Sequence, residues 1–310
     1  MVGWGCGSAK GTPMKYNILV TGGAGFIGTA LVNELVKQNC NIIVLDNYSS
    51  GKIENHVDGV QYINDHTKNI NGYLMSDSDG YRRGIKDDID VVFHFGEYSR
   101  IPTSFDDIET VWDSNINGSF EVINYCRNHN IKIVYAGSST RFAEEGVTHS
   151  PYSFTKSVIA DLIKSYSTWF GLNYSICYFY NVFGKGYDSS PRPGYESVIS
   201  VFEKQYNSGK PLTICGSGNQ RRSFTYINDI VSGLIRAWHY KENNEFQLNN
   251  EKEYTILEIA KMFTDNIVHI DKRLGDRSTS ITTNNNAREL LGWSTTMNID
   301  EWIRKIKTGE

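Results

Sequence analysis

Residues 15–28 read KYNILVTGGAGFIG, and this stretch determines the fold to be expected of the chain. The apolar run from Ile18 to Val20 predicts a buried strand, and the glycines after it predict a tight turn. Apolar residues at helical spacing from Phe26 onward predict a helix. A strand, a glycine turn and a helix start form a pyrophosphate cradle, because backbone N–H groups and the positive helix end face the anion. The residues predicted to hold a dinucleotide are Gly22, Gly25, Phe26, Ile27 and Gly28.

An acidic residue follows at the distance that such a site requires. A second predicted strand, 41–45, ends in Asp46, which stands 18 residues after Gly28. Roughly 20 residues is the spacing at which a carboxylate accepts hydrogen bonds from both ribose hydroxyls of the adenosine half. The same carboxylate repels a 2′-phosphate, so the sequence predicts NAD rather than NADP as the cofactor.

Composition limits the class of protein. The 310 residues are enough for about two domains, and a net charge of −4 gives no reason to expect a nucleic acid partner. No apolar run approaches the ~20 residues that cross a bilayer, and we expect no membrane association. The five cysteines lack CxxC and metal-ligand spacing, so we expect reduced thiols, no metal site and a cytoplasmic location. Residues 1–13 are expected to be a flexible leader or a cloning remnant.

Strands and helices alternate along the first half of the chain. Further strands are predicted at 60–63, 90–95, 131–136 and 174–180, and helices at 111–128 and 152–170. Such alternation predicts an α/β fold, a doubly wound parallel (Rossmann) sheet covered by helices on both faces. We expect residues 14–180 to form the NAD-binding domain and 181–310 a smaller, mixed α/β substrate lobe whose elements can cross back. Ligands of open parallel sheets bind beyond the carboxyl ends of the strands, which puts the site between the lobes.

A tyrosine and a lysine lie four residues apart at the start of a predicted helix. Tyr152 and Lys156 therefore lie on the same face of it. A phenol of unperturbed pKa ~10 is a poor base at neutral pH, and a nearby ammonium group lowers that pKa. Ser138, Ser139 and Thr140 end the preceding strand and can hydrogen-bond a substrate oxygen. We predict that Tyr152, Lys156, Ser138 and Thr140 form the catalytic group.

These features occur in an order that resembles one known family. The motifs that carry the resemblance are TGGAGFIG at 21–28, LDNYSSG at 45–51, NING at 115–118, the Tyr152 and Lys156 pair, and NVFG at 181–184. From Met14 onward the chain is similar to extended short-chain dehydrogenases/reductases of the nucleotide-sugar epimerase/dehydratase family. The resemblance implies that Tyr152 takes the proton of the sugar C4 hydroxyl while the C4 hydride passes to NAD. Lys156 also holds the nicotinamide ribose.

The resemblance implies further site residues and a substrate class. Added to the cofactor site are Asn47, Asp65, His66 and Asn115, with Asp65 and His66 flanking the adenine. Contacts to the substrate come from Glu97, Ser138, Ser139, Asn181, Arg222, Arg273 and Asp276. Among these, Arg222 and Arg273 suit the diphosphate because planar guanidinium groups bind phosphate through two parallel hydrogen bonds. The implied substrate is a nucleotide-diphosphate sugar, used in carbohydrate biosynthesis.

Three departures from the family pattern bear on the reaction. The family's dehydratases and decarboxylases carry an acid just after the strand-end hydroxyl, where this chain has Ser139 and Thr140, so we do not expect dehydration. Only 14 residues separate Ser138 from Tyr152, fewer than in typical 4-epimerases, which predicts an altered or more open pocket.

The third departure is Glu97, which stands where the family usually has a small alanine. One hypothesis is that its carboxylate binds an unusual sugar or assists proton transfer, near the nicotinamide or the sugar. The other is that it pairs with Arg100 and supports a loop. The nearby His94 is expected to be a packed strand residue.

Three functional hypotheses remain open on these grounds. The first is a 4-epimerase that oxidises C4 with NAD and returns hydride to the other face of the keto sugar. The second is a C4 dehydrogenase that releases the keto sugar. The segment around Glu97 is similar to that of bacterial capsule enzymes acting on GDP-heptoses, some of which oxidise C4 and stop. The third is a catalytically silent NAD-binding sensor, which the presence of both Tyr152 and Lys156 disfavours.

The apolar helices at 111–128 and 157–170 are the segments from which the family builds a four-helix dimer interface. Their bulky residues are compatible with such an interface or with packing inside the monomer. These residues are Trp112, Phe120, Tyr166 and Trp169. We therefore expect a homodimer.

Overall fold

Twelve strands form three sheets in the described residues of the chain. The computed structural model describes residues 16–73, 88–185, 196–277 and 282–309, so the expected leader lies outside them. The strands are β1 (Asn17–Thr21), β2 (Asn41–Asp46), β3 (Gln61–Asn64), β4 (Val91–His94), β5 (Lys132–Ser138), β6 (Tyr174–Phe179), β7 (Asn181–Phe183), β8 (Leu212–Cys215), β9 (Arg221–Tyr226), β10 (Asn244–Leu248), β11 (Glu253–Thr255) and β12 (Ile267–Ile270). Each predicted strand is present, with ends that differ by one or two residues.

The largest sheet has seven strands in the order β10-β6-β5-β4-β1-β2-β3. All six neighbouring pairs are parallel. The chain runs outward from β1 to β3 on one side and from β4 to β6 on the other, so the order reverses between β1 and β4. This topology confirms the predicted doubly wound parallel sheet, and its switch point is where such sheets bind ligands.

Helices cover both faces of this sheet. The α-helices of the described residues are α1 (Phe26–Lys37), α2 (Ile108–Trp112), α3 (Ser119–Asn128), α4 (Pro151–Phe170), α5 (Val198–Asn207), α6 (Ile227–His239), α7 (Ile256–Phe263), α8 (Asn286–Glu289) and α9 (Ile299–Thr308). One core packs α1 and α6 against the sheet through residues such as Leu31 and Leu234. The other core packs α3 and α4 against the opposite face through Ile123 and Ile159. No helix of the described residues is long and apolar enough to cross a membrane.

The helix predicted over 111–128 is present, and a π turn within it divides it into α2 and α3. A wide π turn, Asp113–Gly118, separates α2 from α3. The amide of Asn115 explains the interruption, because it donates to Thr155 Oγ1 at 3.0 Å and accepts from the Tyr98 backbone N–H at 2.7 Å. Apolar periodicity does not report such a side-chain bond, so the sequence pattern runs on through the turn.

A third core lies beside the carboxyl edge of the large sheet. It includes Phe202, Phe224 and Phe263, and it packs α5, α7 and α9 around β8 and β9. Two elements from the same half of the chain belong to the large sheet instead: β10 pairs with β6, and α6 covers one face. A cleft lined by residues of both parts lies between the sheet edge and this third core.

Candidate active site

The glycine turn brings the start of α1 against the end of β1. Gly22 has a φ of +70°, and a Cβ atom there would lie 2.6 Å from the carbonyl carbon of Phe95. A Cβ atom on Gly28 would lie 2.3 Å from the carbonyl oxygen of Gly22. Side chains are therefore excluded from the turn. Phe26 and Ile27 line the cleft, and the first N–H groups of a helix lack intrahelical partners, so this cradle fits a pyrophosphate.

Asp46 ends β2 beside this turn. Its carboxylate is buried and accepts hydrogen bonds from the backbone N–H of Ala24 at 2.9 Å and of Tyr48 at 2.8 Å. Burial raises the pKa of Asp46, and the two backbone hydrogen bonds act against that rise. The carboxylate is thus held at the edge of the cradle, where an adenosine ribose fits.

A cleft of about 600 Å³ brings together every predicted site residue except two. The first exception is Asn115, which is fully buried in the π turn and bonded to Tyr98 and Thr155. The second is His66, whose ring accepts from the Lys68 N–H at 3.1 Å and lies 3.7 Å from the Asp113 carboxylate. Both residues support the cleft from behind its wall.

The first turn of α4 carries the predicted tyrosine and lysine. Ser150 caps this helix by accepting from the Ser153 N–H at 3.1 Å, and Pro151 occupies its first turn, so Tyr152 stands at the very start. Lys156 lies one turn later with its side chain 6% exposed. The Lys156 ammonium donates to the carbonyl oxygen of Ala136 in β5 and to Glu97. Tyr152 and Lys156 both line the cleft, as predicted.

The strand-end hydroxyls form a small network with an arginine that the sequence analysis did not include. Ser138 Oγ accepts from Thr140 Oγ1 at 3.0 Å, and Ser139 Oγ accepts from the Arg277 guanidinium at 3.1 Å. Arg277 is 8% exposed and lies close enough to Tyr152 for a tyrosinate there to raise the arginine pKa, although burial lowers it overall. Gly275, two residues before Arg277, has a φ of +79°, and a glycine at this place is a local sequence signal of a turn.

A second wall of the cleft is rich in arginine. Arg222 donates to the carbonyl oxygen of Arg277 at 2.7 Å, and burial together with Arg277 lowers the pKa of Arg222 to about 10. Arg273 and Asp276 lie 3.4 Å apart on the same wall. Asn181 donates to the Ser223 carbonyl at 3.0 Å and also faces the cleft. The wall is suited to a doubly charged diphosphate.

Glu97 lines the cleft, and its partner is Lys156 rather than the Arg100 of the second hypothesis. Its side chain is 3% exposed and forms an ion pair with Lys156. The same carboxylate accepts from Ser119 Oγ at 2.9 Å and from the Tyr135 hydroxyl at 3.0 Å. His94 is fully buried, which confirms its prediction as a packed strand residue. Burial lowers the pKa of His94 to about 4, so the ring is neutral at physiological pH.

The fold and the cleft together define an extended short-chain dehydrogenase/reductase, because a dinucleotide cradle and a tyrosine–lysine pair face one another across the sheet edge. The model of the NAD dependent epimerase/dehydratase family matches residues 18–249. The chain belongs to that family, and its enzymes use NAD on nucleotide sugars.

Several relatives are similar over most of the chain. A Methanocaldococcus jannaschii protein named provisionally as a UDP-glucose 4-epimerase is 28% identical in an alignment of length 307 that covers 93% of this chain and 96% of that protein. A UDP-N-acetyl-alpha-D-glucosaminuronate decarboxylase of Bacillus cytotoxicus is 29% identical and covers 80% of this chain and 79% of its own. The solved UDP-N-acetylglucosamine 4-epimerase of Methanobrevibacter ruminantium M1 is 25% identical, with a TM-score of 0.80 over 96% of this chain and all of that chain.

Replacing Gly28 by alanine should weaken NAD binding about tenfold or more. The added methyl group meets the backbone of Gly22 and Gly23, and backbone cannot move aside as a flexible side chain does. Calorimetric titration of the NAD-free protein with NAD measures the change. Gly72→Ala is the control, because a Cβ atom there meets nothing within 4 Å. Equal affinity in both variants would contradict the tight-turn argument.

The buried His94 should make the fold sensitive to acid. An unfolded histidine titrates near pH 6.5 and His94 near 4, so the unfolded state binds more protons between these values. Its contribution to the free energy of unfolding is complete above pH 6.5 and falls by about 3 kcal/mol as the pH drops to 4. Urea unfolding at both ends of this range should show a smaller loss for His94→Gln than for the parent or for the exposed control His129→Gln.

Proposed function

We propose that this chain oxidises the C4 hydroxyl of a nucleotide-diphosphate sugar and that the net reaction is 4-epimerisation. NAD bound in the cradle supplies the acceptor for the C4 hydride. Tyr152 takes the hydroxyl proton, and Ser138 and Thr140 hold the C4 oxygen. The observation that carries this proposal is that Tyr152, the strand-end hydroxyls and the glycine turn line one cleft.

Lack of an acid at the strand end supports epimerisation over elimination or decarboxylation. The two residues after Ser138 are hydroxyl residues, and both are buried in the network that Arg277 joins. A reaction that removes the C5 proton or changes C6 needs a further acid–base group at this place. Oxidation at C4 by NAD followed by return of the hydride needs no acid–base group other than the tyrosine.

The arginine wall supports a diphosphate substrate. Arg222 and Arg273 reach the cleft from different segments, and Asp276 lies beside them. Two guanidinium groups on one wall attract an anion, and a diphosphate offers enough oxygens for both. We propose that this wall holds the diphosphate and thereby orients the sugar toward Tyr152. The nucleotide base and the sugar are left to experiment.

The second candidate, a C4 dehydrogenase, is favoured by the short segment between Ser138 and Tyr152. Two short turns, Ser139–Phe142 and Val147–His149, make up most of this segment. A small cover over the sugar lets a keto product leave before it is reduced again. The GDP-heptose similarity stays a prediction that belongs to this candidate.

Exposed apolar residues on α2, α3 and α4 support the proposal of a homodimer. Phe154, Val158 and Trp169 lie on one face of α4, and Trp112 and Phe120 are exposed on the neighbouring helices. Tyr166 is buried inside the monomer, so it does not belong to this surface. An apolar surface of this kind is characteristic of an interface.

Tyr152→Phe should lower turnover at least about 100-fold while NAD stays bound, because the variant loses only the proton acceptor. The assay follows NADH fluorescence and the sugar by NMR with a panel of GDP-, UDP- and dTDP-sugars that includes heptoses. An inverted C4 without lasting NADH indicates an epimerase. A burst of NADH equal to the enzyme concentration, followed by a stall that an added keto acid relieves, indicates the dehydrogenase. Tyr166→Phe on the same helix is the control, and unchanged turnover in Tyr152→Phe rules out the assigned role.

Val158→Glu should convert the dimer into a monomer, because it places a charge in the centre of the apolar surface. Light scattering during size-exclusion chromatography measures the mass. Val268→Glu is the control, since Val268 is equally apolar and exposed but lies on β12, away from this surface. A parent protein that is monomeric at all concentrations refutes the dimer.

A further inference from the structure

The buried carboxylate of Glu97 is the feature that the proposed reaction leaves without a role. It lies three residues after β4 and reaches Lys156 across 59 positions of the chain. Its partners in the described residues are all hydrogen-bond donors: the Lys156 ammonium, the Ser119 hydroxyl and the Tyr135 hydroxyl. Three donors at one buried carboxylate meet the hydrogen-bonding need of a buried charge.

A chain of hydrogen bonds fixes the direction of the Ser119 donor. The backbone N–H groups of Phe95 and Gly96 donate to Thr21 Oγ1 at 3.2 and 3.1 Å, so the Thr21 hydrogen goes to His94 Nδ1 at 2.6 Å. The neutral His94 ring then carries its single hydrogen on Nε2 and donates to Ser119 Oγ at 2.8 Å. The Ser119 hydrogen is left for Glu97.

The charge of Lys156 is balanced where it is buried. Its ammonium group donates to Glu97 and to the Ala136 carbonyl, and it lies 4.2 Å from the centre of the Tyr135 ring. Two of its three N–H groups are thereby occupied, which leaves one for the nicotinamide ribose. The Lys156 ammonium group is thereby held in one orientation. The Glu97 carboxylate cancels part of the electrostatic field that this ammonium group exerts on its neighbours.

We propose that Glu97 is a positioning residue for the tyrosine–lysine pair: it holds the Lys156 ammonium against β5 and offsets its charge, so that Tyr152 gives up its proton at a higher pH than it does beside an unpaired lysine. This inference rests on the proposed role of Tyr152. The Glu97 side chain is 3% exposed and bonded to Lys156, so the proposed role is exerted through Lys156.

Other charged and titratable groups lie near Tyr152 and Lys156 on the elements that pack against them. Tyr135 on β5 is buried, and burial raises its pKa well above the usual value, so it stays a neutral donor. His94 on β4 is neutral. Arg277, on the arginine wall, lies close enough to Tyr152 for the two groups to interact electrostatically. Arg277 and Lys156 thus act in one direction on Tyr152, and Glu97 acts in the other.

The test is a titration of Tyr152 in the NAD-bound protein without any sugar. Phenolate absorbance is recorded against pH for the parent, and the same curve for Tyr152→Phe is subtracted to isolate one tyrosine. Glu97→Gln should lower the midpoint by about one pH unit or more, because it keeps an acceptor for Lys156 and removes the opposing charge. Glu97→Asp should fall between the two, since it keeps the charge but withdraws it by about 1.5 Å.

Glu245→Gln is the matched control. Glu245 also accepts a tyrosine hydroxyl, from Tyr178, and also pairs with a lysine, Lys164, but on another part of the sheet. Its removal should leave the Tyr152 midpoint unchanged.

Three results would overturn the inference: a midpoint that is unchanged in both Glu97 variants, one that rises in them, or one that moves as much in the control. If Glu97→Gln does not fold, Glu97→Asp alone decides the question through the same shift. Because no sugar is present, the titration can succeed even if no tested nucleotide sugar is converted, and it can fail while epimerisation is observed. Once a substrate is known, the acid limb of its kcat profile should move in the same direction.

Discussion

The backbone of α1 meets the backbone of the glycine turn with no side chain between them, and the rest of the site depends on this contact. Gly28 touches Gly22, Gly22 touches the chain just after β4, and a Cβ atom on Gly23 would overlap Val44 in β2. This close approach therefore fixes the positions of the carboxyl ends of β1, β2 and β4 relative to one another. The cradle, the carboxylate after β2 and the segment that carries Glu97 all leave the sheet from these ends.

Charge is distributed unevenly around the cleft. At the catalytic end, Lys156 is buried together with Glu97, because an ammonium group taken out of water is costly unless it is paired and hydrogen-bonded. On the facing wall, burial and the neighbouring Arg277 guanidinium lower the pKa of Arg222 to about 10. The Lys156–Glu97 ion pair, whose opposite charges cancel, thus faces a wall that carries positive charge. Such a field attracts an anionic group to the wall and leaves the neutral part of the same ligand beside Tyr152.

Much of this arrangement could be predicted from residue order. Strand periodicity, the glycine spacing and the Tyr152–Lys156 interval are local properties, and each corresponds to an element in the fold. The helix over 111–128 is present, but the π turn within it was not predicted, because the bonds of Asn115 there join residues distant in sequence. Arg277 was missed although Arg273 and Asp276 were chosen.

The sequence by itself determined the doubly wound fold, the dinucleotide cradle, the acid after β2 and the identity of the tyrosine–lysine pair, since all of these are set by spacing within one or two elements. Only the tertiary structure decided the partner of Glu97 and the place of Arg277. The contact of Glu97 with Lys156 spans 59 residues, and that of Arg277 with Ser139 spans 138. The physical reason is that a charged side chain takes the partner that packing brings within reach, and packing between distant segments leaves no periodic trace in either of them.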